Sequence, residues 1–563
     1  MDETSNASRS AGHDVRVVFL GGLGEIGRNC AAIEHSGRVV VLDCGVMFPD
    51  PEMPGVDLVL PDFSYLRENA DRVDGIILTH GHEDHTGGLG FLLREVDAPV
   101  YGSALTLALV RSRVEDAGMS GRARLVTVSD GERRAIGAFD VEFIPVTHSV
   151  PHGFATAFHT PQGVILHSGD FKLDLTPVDG RRTDLARIGA LADGEGIRLL
   201  LADSTNAEEP GHTRSERSVG EDLRLIFAES PGRRIVVACF ASHIHRIQQL
   251  ADAAVRSGRK VALLGRSMLR NVGIARELGL LAIPEAAIVD VERIDDLPAG
   301  DVCVLSTGSQ GEPMSALTLL AAGENRHFSI REGDVVVLSS HAIPGNEWAV
   351  AKVMDGLARR GARVVHSGVA HVHESGHAKQ GELATLHAIA RPRCFVPVHG
   401  EYRHLLRHAQ LAIEMGADER QVLLCEDGDA IRLSDEGIDF DGEVPAGYCY
   451  VDGVVGDIGS GVLRDRRALA EEGVVVVVLA VDSRSGDILT GPEIITRGWV
   501  YAPEAEELLE DARSAVAKAV AEAVGAGSFD ADTLRRATRR AVGRLVSERT
   551  RRRPMIVPVV MEA

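Results

Sequence analysis

The sequence predicts a multidomain α/β protein, on three observations. Residues 15–200 carry many short Val- and Ile-rich runs (VRVVFL, CAAIEH, RVVVLD, GIILTH, FDVEFIPVTH, GVILHSGD) bounded by Gly, Pro or Asp, the pattern of strands and turns. From about 215 to 370 strand and helix patterns alternate, as in RRIVVACF followed by HIHRIQQLADAAVRSG, which indicates a parallel α/β unit. The tail repeats this on a smaller scale, with a strand at 474–481, helices at about 503–525 and 530–548, and a last strand at 555–560. At 563 residues the chain exceeds the roughly 250–300 that one core supports, so two or three domains are expected.

In chain order, residues 1–13 are polar and lack an apolar signal-peptide region, so they read as a disordered extension and the cytoplasm as the location. The longest unbroken apolar run, Val474 to Val481, falls far short of the roughly 18 residues of a membrane helix; it reads as a buried strand, and no membrane partner is expected. Seven cysteines, none in C-x-x-C spacing, argue against a disulfide framework or a zinc ribbon. The net charge of −22 opposes long-range attraction of a polyanion, so a nucleic-acid substrate would need a local groove or metal ions. The arginine-rich stretch 535–553 suits phosphate contacts or a solvated helix face.

The first motif is Gly22-Leu23-Gly24-Glu25-Ile26-Gly27, a match to G-x-G-x-x-G after a strand. A dinucleotide-binding unit needs a helix of ten or more residues after the glycines. Here only Asn29 to Gly37 precede the next strand, and CAAIEH itself reads as β. The glycines therefore lead into a β-hairpin, and no nucleotide cofactor is expected.

The strongest motif follows the strand Gly75–Thr79: His80-Gly81-His82-Glu83-Asp84-His85. Three imidazoles and Asp84 cannot all be core groups, because unpaired buried polar side chains cost several kcal/mol. The bland alternative is an exposed histidine-rich turn. Imidazole with carboxylate suits zinc or manganese, and alternate residues on a loop can serve two ions. Downstream, His148 in VTHS and Asp170 in HSGD each end a strand-like run. His148 alone would be an ordinary polar residue; after H-x-H-x-D-H it becomes a candidate ligand.

This set resembles the metallo-β-lactamase superfamily, an αββα sandwich in which H-x-H-x-D-H serves two adjacent metals. The last histidine of that pattern matches His399 in PVHGEYRHL, with the whole α/β stretch lying between it and Asp170. Such an insertion resembles the β-CASP branch, whose members cut nucleic acids. Asp203 in LADSTN is similar to its acidic motif, and His377 in HESGHAKQGE to its motif-B histidine. The stretches VLSTGSQGEPMSAL, SSHAIPGNE and GDILTGPEIITRGWVY are similar to those of the bacterial ribonuclease J family.

The resemblance implies a metallo-β-lactamase domain in two parts, 14–214 and 369–450, a β-CASP domain at 215–368, a linker at 451–470 and a C-terminal domain at 471–563. It implies two divalent ions per subunit, zinc first, with manganese or magnesium as alternatives. His80, His82 and His148 would hold one ion, Asp84, His85 and His399 the other, and Asp170 would bridge them. Asp84 would also serve catalysis; His377 would protonate the leaving 3′-oxygen, with Asp203 orienting it. The segment His373-Glu374-Ser375-Gly376-His377 would contact substrate, with Ser309 and Ser339 as further phosphate contacts. His243, His245 and His341 read as structural or groove residues. The implied activity is hydrolysis of single-stranded RNA in maturation and decay, 5′-to-3′ from 5′-monophosphate ends and also internally. Homodimers or homotetramers and an RNA-decay complex would be its partners. The alternatives are a DNA-processing β-CASP nuclease, a non-nuclease hydrolase of this fold, and a non-catalytic RNA-binding scaffold.

Overall fold

The Val- and Ile-rich runs pair into three large sheets in a computed structural model of the chain, which describes residues 14–50, 52–343, 345–453, 455–500, 505–527 and 530–563. The expected N-terminal extension, 1–13, lies outside the described residues. Two compact units divide the chain: residues up to 47 with 60–448, and 48–59 with 449–563.

In the first unit, an eight-stranded sheet has the order 438–443, 429–433, 15–21, 30–35, 38–42, 73–77, 100–102, 125–127. A six-stranded sheet has the order 394–398, 197–203, 163–167, 153–160, 139–146, 133–136. Strands alternate their side chains between two faces. Val15, Val17, Phe19, Ile33 and Val40 of one sheet thereby share a core with Val141, Phe143, Phe158, Leu199 and Val396 of the other. The outer face of the six-stranded sheet (Ile144, Val146, Leu200, Phe395) packs on helices Leu185–Asp193, Gln380–Ala390 and Tyr402–Glu414. Helices Leu89–Glu95 and Ala104–Asp116 flank the other sheet, completing the αββα sandwich.

The inserted stretch forms a wholly parallel sheet in the order 260–264, 302–306, 235–238, 335–338, 363–365. Both its faces are covered, as parallel sheets require. Ile235 and Val237 point into one apolar cluster, with helices Glu216–Ala228 and Ile244–Arg256. Val236 and Ala238 point into the other, with helices Ala316–Ala322 and Glu347–Arg359.

The second unit differs from expectation in four places. The stretch 451–470, expected to be a linker, holds a short hairpin and most of the helix Gly459–Glu472. Its glycines suggested flexibility, but Leu463 to Glu472 are, apart from Asp465, strong helix formers that outweigh them. Residues 48–59 belong to this unit, where Asp57 N donates to Val451 O at 2.8 Å and Arg466 Nη1 to Gly55 O at 2.8 Å. Val474–Val481 is not buried throughout: Val475, Val477, Leu479 and Val481 face helices Glu506–Gly525 and Ala531–Thr550, and the alternate residues are half-buried. Its antiparallel neighbour Ile488–Arg497 was not foreseen, because Gly491-Pro492 reads as a break. On the other side it pairs in parallel with Met555–Glu562. Within the arginine-rich stretch, Arg535, Arg549 and Arg552 pair with Asp532, Asp511 and Glu472, the behaviour of a solvated helix face. None of the seven cysteines is in a disulfide. No helix among the described residues is long and apolar enough to cross a membrane.

Candidate metal centre

Strand ends deliver the polar cluster. His80 follows strand Val73–Ile77, His148 follows Phe139–Val146, and Asp170 follows Gly163–His167. Asp203 is the last residue of Ile197–Asp203, and His399 comes directly after Cys394–Val398. Asp84 and His85 sit in the one-turn helix Glu83–Thr86. All seven expected ligand residues meet at this edge of the sandwich. Donor atoms of His80, His82, His148 and Asp170 form one group, and those of Asp84, His85, Asp170 and His399 a second, each within 4.8 Å.

Asp170 faces both groups, one oxygen to each. Its Oδ2 lies 3.6 Å from His80 Nε2 and 3.8 Å from His148 Nε2, and its Oδ1 3.3 Å from His85 Nε2 and 3.7 Å from His399 Nε2. Oδ2 is buried with no hydrogen-bond partner among the described residues. In the first group His82 Nδ1 is 3.0 Å from His80 Nε2 and 3.2 Å from His148 Nε2. In the second, Asp84 Oδ2 is 3.4 Å from His399 Nε2.

Four of the five clustered imidazoles are anchored by the nitrogen turned away from the centre. His80 Nδ1 meets Thr79 Oγ1 at 3.1 Å, and His85 Nδ1 donates to Asp43 Oδ2 at 2.8 Å. His148 Nδ1 donates to Gly376 O at 2.8 Å, and His399 Nδ1 meets Thr205 Oγ1 at 2.7 Å. Fixing one ring nitrogen aims the other inward, the usual outer support of a metal-binding histidine. Burial holds His80, His82 and His148 below the ordinary imidazole pKa, hence neutral and free to donate a lone pair. Burial also opposes charge on His399, yet the carboxylates of Asp170, Asp203 and Asp84 raise it to about 10. This donor set, with an orphaned carboxylate oxygen between its halves, fits two divalent cations.

Sequence reasoning missed the outer supports. Asp43 accepts from Thr79 N and Thr79 Oγ1 at 2.8 Å each, besides His85, and holds a left-handed φ of 59°. Its signal in the sequence is an acid ending the strand run RVVVLD. The glycine loop also serves the centre. Asn29 donates from both its backbone N and its side-chain Nδ2 to Asp84 O, at 3.0 Å each. Leu23–Gly24 pairs in parallel with Gly400–Glu401, beside His399. Arg28, 1% exposed, anchors the loop on Glu25 and Asp427 at 2.7 Å each and lies over the Tyr448 ring.

The substrate-segment residues also meet at this edge. His377 Nδ1 donates to Asp203 Oδ2 at 2.7 Å, and its ring stacks on His399. Burial pulls the His377 pKa down, but Asp203 and Asp170 outweigh it and the net shift is upward. Gly376 must be glycine, since a Cβ would come within 2.7 Å of His148 Cε1. Ser375 Oγ accepts from Asn206 Nδ2 at 2.8 Å. His373 packs its ring against His341, its Nδ1 buried and without a hydrogen-bond partner among the described residues. Glu374 is turned to His371 Nε2 at 3.0 Å. Ser339 does not fit its expected phosphate contact: its buried hydroxyl donates to Val372 O and accepts from Arg246. Of the histidines expected to be structural, His245 pairs with Asp179 at 3.2 Å, and His243 is buried 3.5 Å from Glu216.

Comparison with known proteins assigns each region. Residues 23–225 match the metallo-beta-lactamase superfamily and 232–357 the ribonuclease J beta-CASP domain. Residues 361–422 match the Zn-dependent metallo-hydrolase RNA specificity domain and 461–563 the ribonuclease J C-terminal domain. Ribonuclease J of Mycolicibacterium smegmatis is 42% identical over 550 residues, covering 97% of both chains. Ribonuclease J2 of Bacillus subtilis is 39% identical over 550 residues, covering 98% of this chain and 99% of the relative. The crystal structure of a protein of unknown function from Enterococcus faecalis V583 shares the fold at a TM-score of 0.52 and 17% identity, covering 75% of this chain and all of that one. With such identity sustained along nearly its whole length, the chain belongs to the ribonuclease J family.

Proposed function

We propose that this chain is a metal-dependent ribonuclease that degrades single-stranded RNA 5′-to-3′ from 5′-monophosphate ends and also cuts internally. The observation that carries the reading is the pair of donor groups sharing Asp170, beside His377 and its carboxylate partner. His80, His82 and His148 would hold one ion, Asp84, His85 and His399 the second, with Asp170 between them. Zinc is the preferred ion, because the donors are mostly imidazole. Divalent ions at such a site acidify water and neutralise charge on a phosphodiester.

The chain's own residues supply the rest. Asp203 fixes Nδ1 of His377 as the donor to itself, so Nε2 is the nitrogen available to protonate the leaving 3′-oxygen. That proton appears on the 3′-hydroxyl of one product, and the other keeps a 5′-phosphate. Acid assistance of this kind contributes about 10²–10⁴-fold. The His373–Gly376 segment receives a phosphate of the RNA end. We further propose a cytoplasmic homodimer or homotetramer that works with other RNA-decay proteins. Exposed Ile495, Val557, Val559 and Met561 in the C-terminal unit suit pairing with a second copy.

The deciding experiment digests matched 5′-monophosphate RNA, 5′-triphosphate RNA and single-stranded DNA, with and without chelator. Faster decay of 5′-monophosphate RNA, lost with chelator and restored by zinc or manganese, is expected. Activity surviving full metal removal would overturn the mechanism, preference for DNA the substrate, and equal attack on both RNA ends the terminal pocket. Sedimentation velocity tests the oligomer.

A further inference from the structure

Two buried cations stand behind the His373–His377 segment. Val372 O, just before it, accepts from Arg246 Nη1 at 2.7 Å, and Ser375 O, in its middle, accepts from Lys172 Nζ at 3.1 Å. Arg246 is 0% exposed and Lys172 2%. Arg246 uses its whole fork. Nε and Nη2 hold Glu216 at 2.6 and 2.8 Å, and Nη1 also reaches Ser339 Oγ, which itself donates to Val372 O at 2.6 Å. Among the described residues, Lys172 Nζ is bonded only to carbonyl oxygens, those of Ser375 and of Arg214 at 3.3 Å.

The neighbouring carbonyls are engaged as well. Gly376 O takes His148 Nδ1, and His377 O takes Asn206 Nδ2 at 3.0 Å and Thr213 Oγ1 at 2.7 Å. The oxygens of residues 372, 375, 376 and 377, which would repel an anion, are thus all drawn onto donors of the protein. A buried ion pair such as Glu216–Arg246 contributes little net stability compared with apolar packing, so its use here lies in fixing geometry.

Resting on the RNA-end reading above, we propose that Arg246 and Lys172 are positioning residues forming a two-point clamp on the substrate segment. Arg246 acts through Val372 on the end that receives the terminal phosphate. Lys172 acts through Ser375 on the end that carries His377. The two ends then separate kinetically: the first governs substrate capture, and the second the chemical step.

The test is steady-state cleavage of 5′-monophosphorylated RNA by the metal-loaded enzyme, with ions per chain measured in every variant. Arg246→Lys keeps the charge but cannot span Glu216, Ser339 and Val372 together. It should raise KM about tenfold with kcat within about threefold, the cost of a shifted binding group. Ser339→Ala, which removes only a hydroxyl, should raise KM in the same direction by less. Lys172→Met should lower kcat about tenfold or more, with a smaller change in KM and both ions retained. Unchanged KM in both Arg246→Lys and Ser339→Ala would overturn the clamp. So would activity falling in step with lost metal or lost folded fraction. A wild-type chain that leaves RNA uncut would instead overturn the underlying reading.

Discussion

His377 Nδ1 donates to Asp203 Oδ2 at 2.7 Å, which fixes which nitrogen of that imidazole can face a substrate. The carboxylate is itself held, by Thr205 N at 2.9 Å and Thr205 Oγ1 at 2.8 Å on Oδ1. His377→Ala should therefore lower kcat about 10²–10⁴-fold, the usual range for a general acid. Asp203→Asn, which leaves the ring in place but reverses the donor, should lie within that range. Loss of an ion from the His377 variant in elemental analysis would refute its role as an acid.

Asp43 gathers three donors from the loop that carries H-x-H-x-D-H: Thr79 N, Thr79 Oγ1 and His85 Nδ1. Asp43→Asn keeps the shape but removes the charge that orients His85. Metal affinity should fall about 10–100-fold, with activity recovered at high zinc or manganese. Competition with a chromophoric chelator measures this, and an unchanged affinity would show that His85 needs no such support.

The fold was legible where periodicity was strong. The unbroken apolar runs at 235–238 and 335–338 mark parallel strands covered on both faces, and RVVVLD marks a strand whatever surrounds it. The ligand candidates of H-x-H-x-D-H were legible in one six-residue window, and His148 and Asp170 followed from it as strand ends, whereas His399 was reached only through the family resemblance. What was not legible depends on distant partners. Lys172 and Asp174 differ little in sequence from surface charges, yet Lys172 bonds Ser375 O and Asp174 Oδ2 accepts from Glu216 N. Glu382 likewise receives Leu173 N and Thr213 N, about two hundred positions away in the chain. The helix Gly459–Glu472 was lost to its glycine-rich start, where composition spoke louder than propensity.

Acid sensitivity should come in part from a histidine outside the centre. His408 is buried with Nδ1 2.9 Å from Ser204 Oγ, and burial drops its pKa to about 3. The unfolded chain titrates this group near 6.5, so below that pH the unfolded state binds the extra proton. Stability is therefore complete above about pH 6.5 and is lost progressively toward pH 3, by about 2 kcal/mol from this group by pH 5. His243, dropped to about 4 by burial, acts in the same sense. His408→Gln, which cannot titrate, should lose less urea stability than wild type between about pH 7.5 and pH 5. Equal losses in the two proteins would remove His408 from the account.

Gly45 touches the helix of Asp84 and His85 so closely that no side chain fits. A Cβ there would lie 1.6 Å from Asp84 O and 2.9 Å from His85 N, both backbone atoms that cannot swing aside. The same Asp84 carbonyl takes the two Asn29 hydrogen bonds, and Gly45 N donates to Asn29 O at 2.9 Å, so moving one group moves all three. Gly45→Ala should displace Asp84 and His85 together, weaken the second ion and lower activity about 100-fold. The control is Gly273→Ala, inside helix Arg266–Glu277, where the added methyl would meet nothing within 4 Å among the described residues beyond its own helix backbone and chain neighbours. That change should stabilise the helix by up to about 1 kcal/mol and leave cleavage untouched. If Gly45→Ala cleaves RNA as fast as Gly273→Ala with both ions bound, Gly45 does not set the position of Asp84.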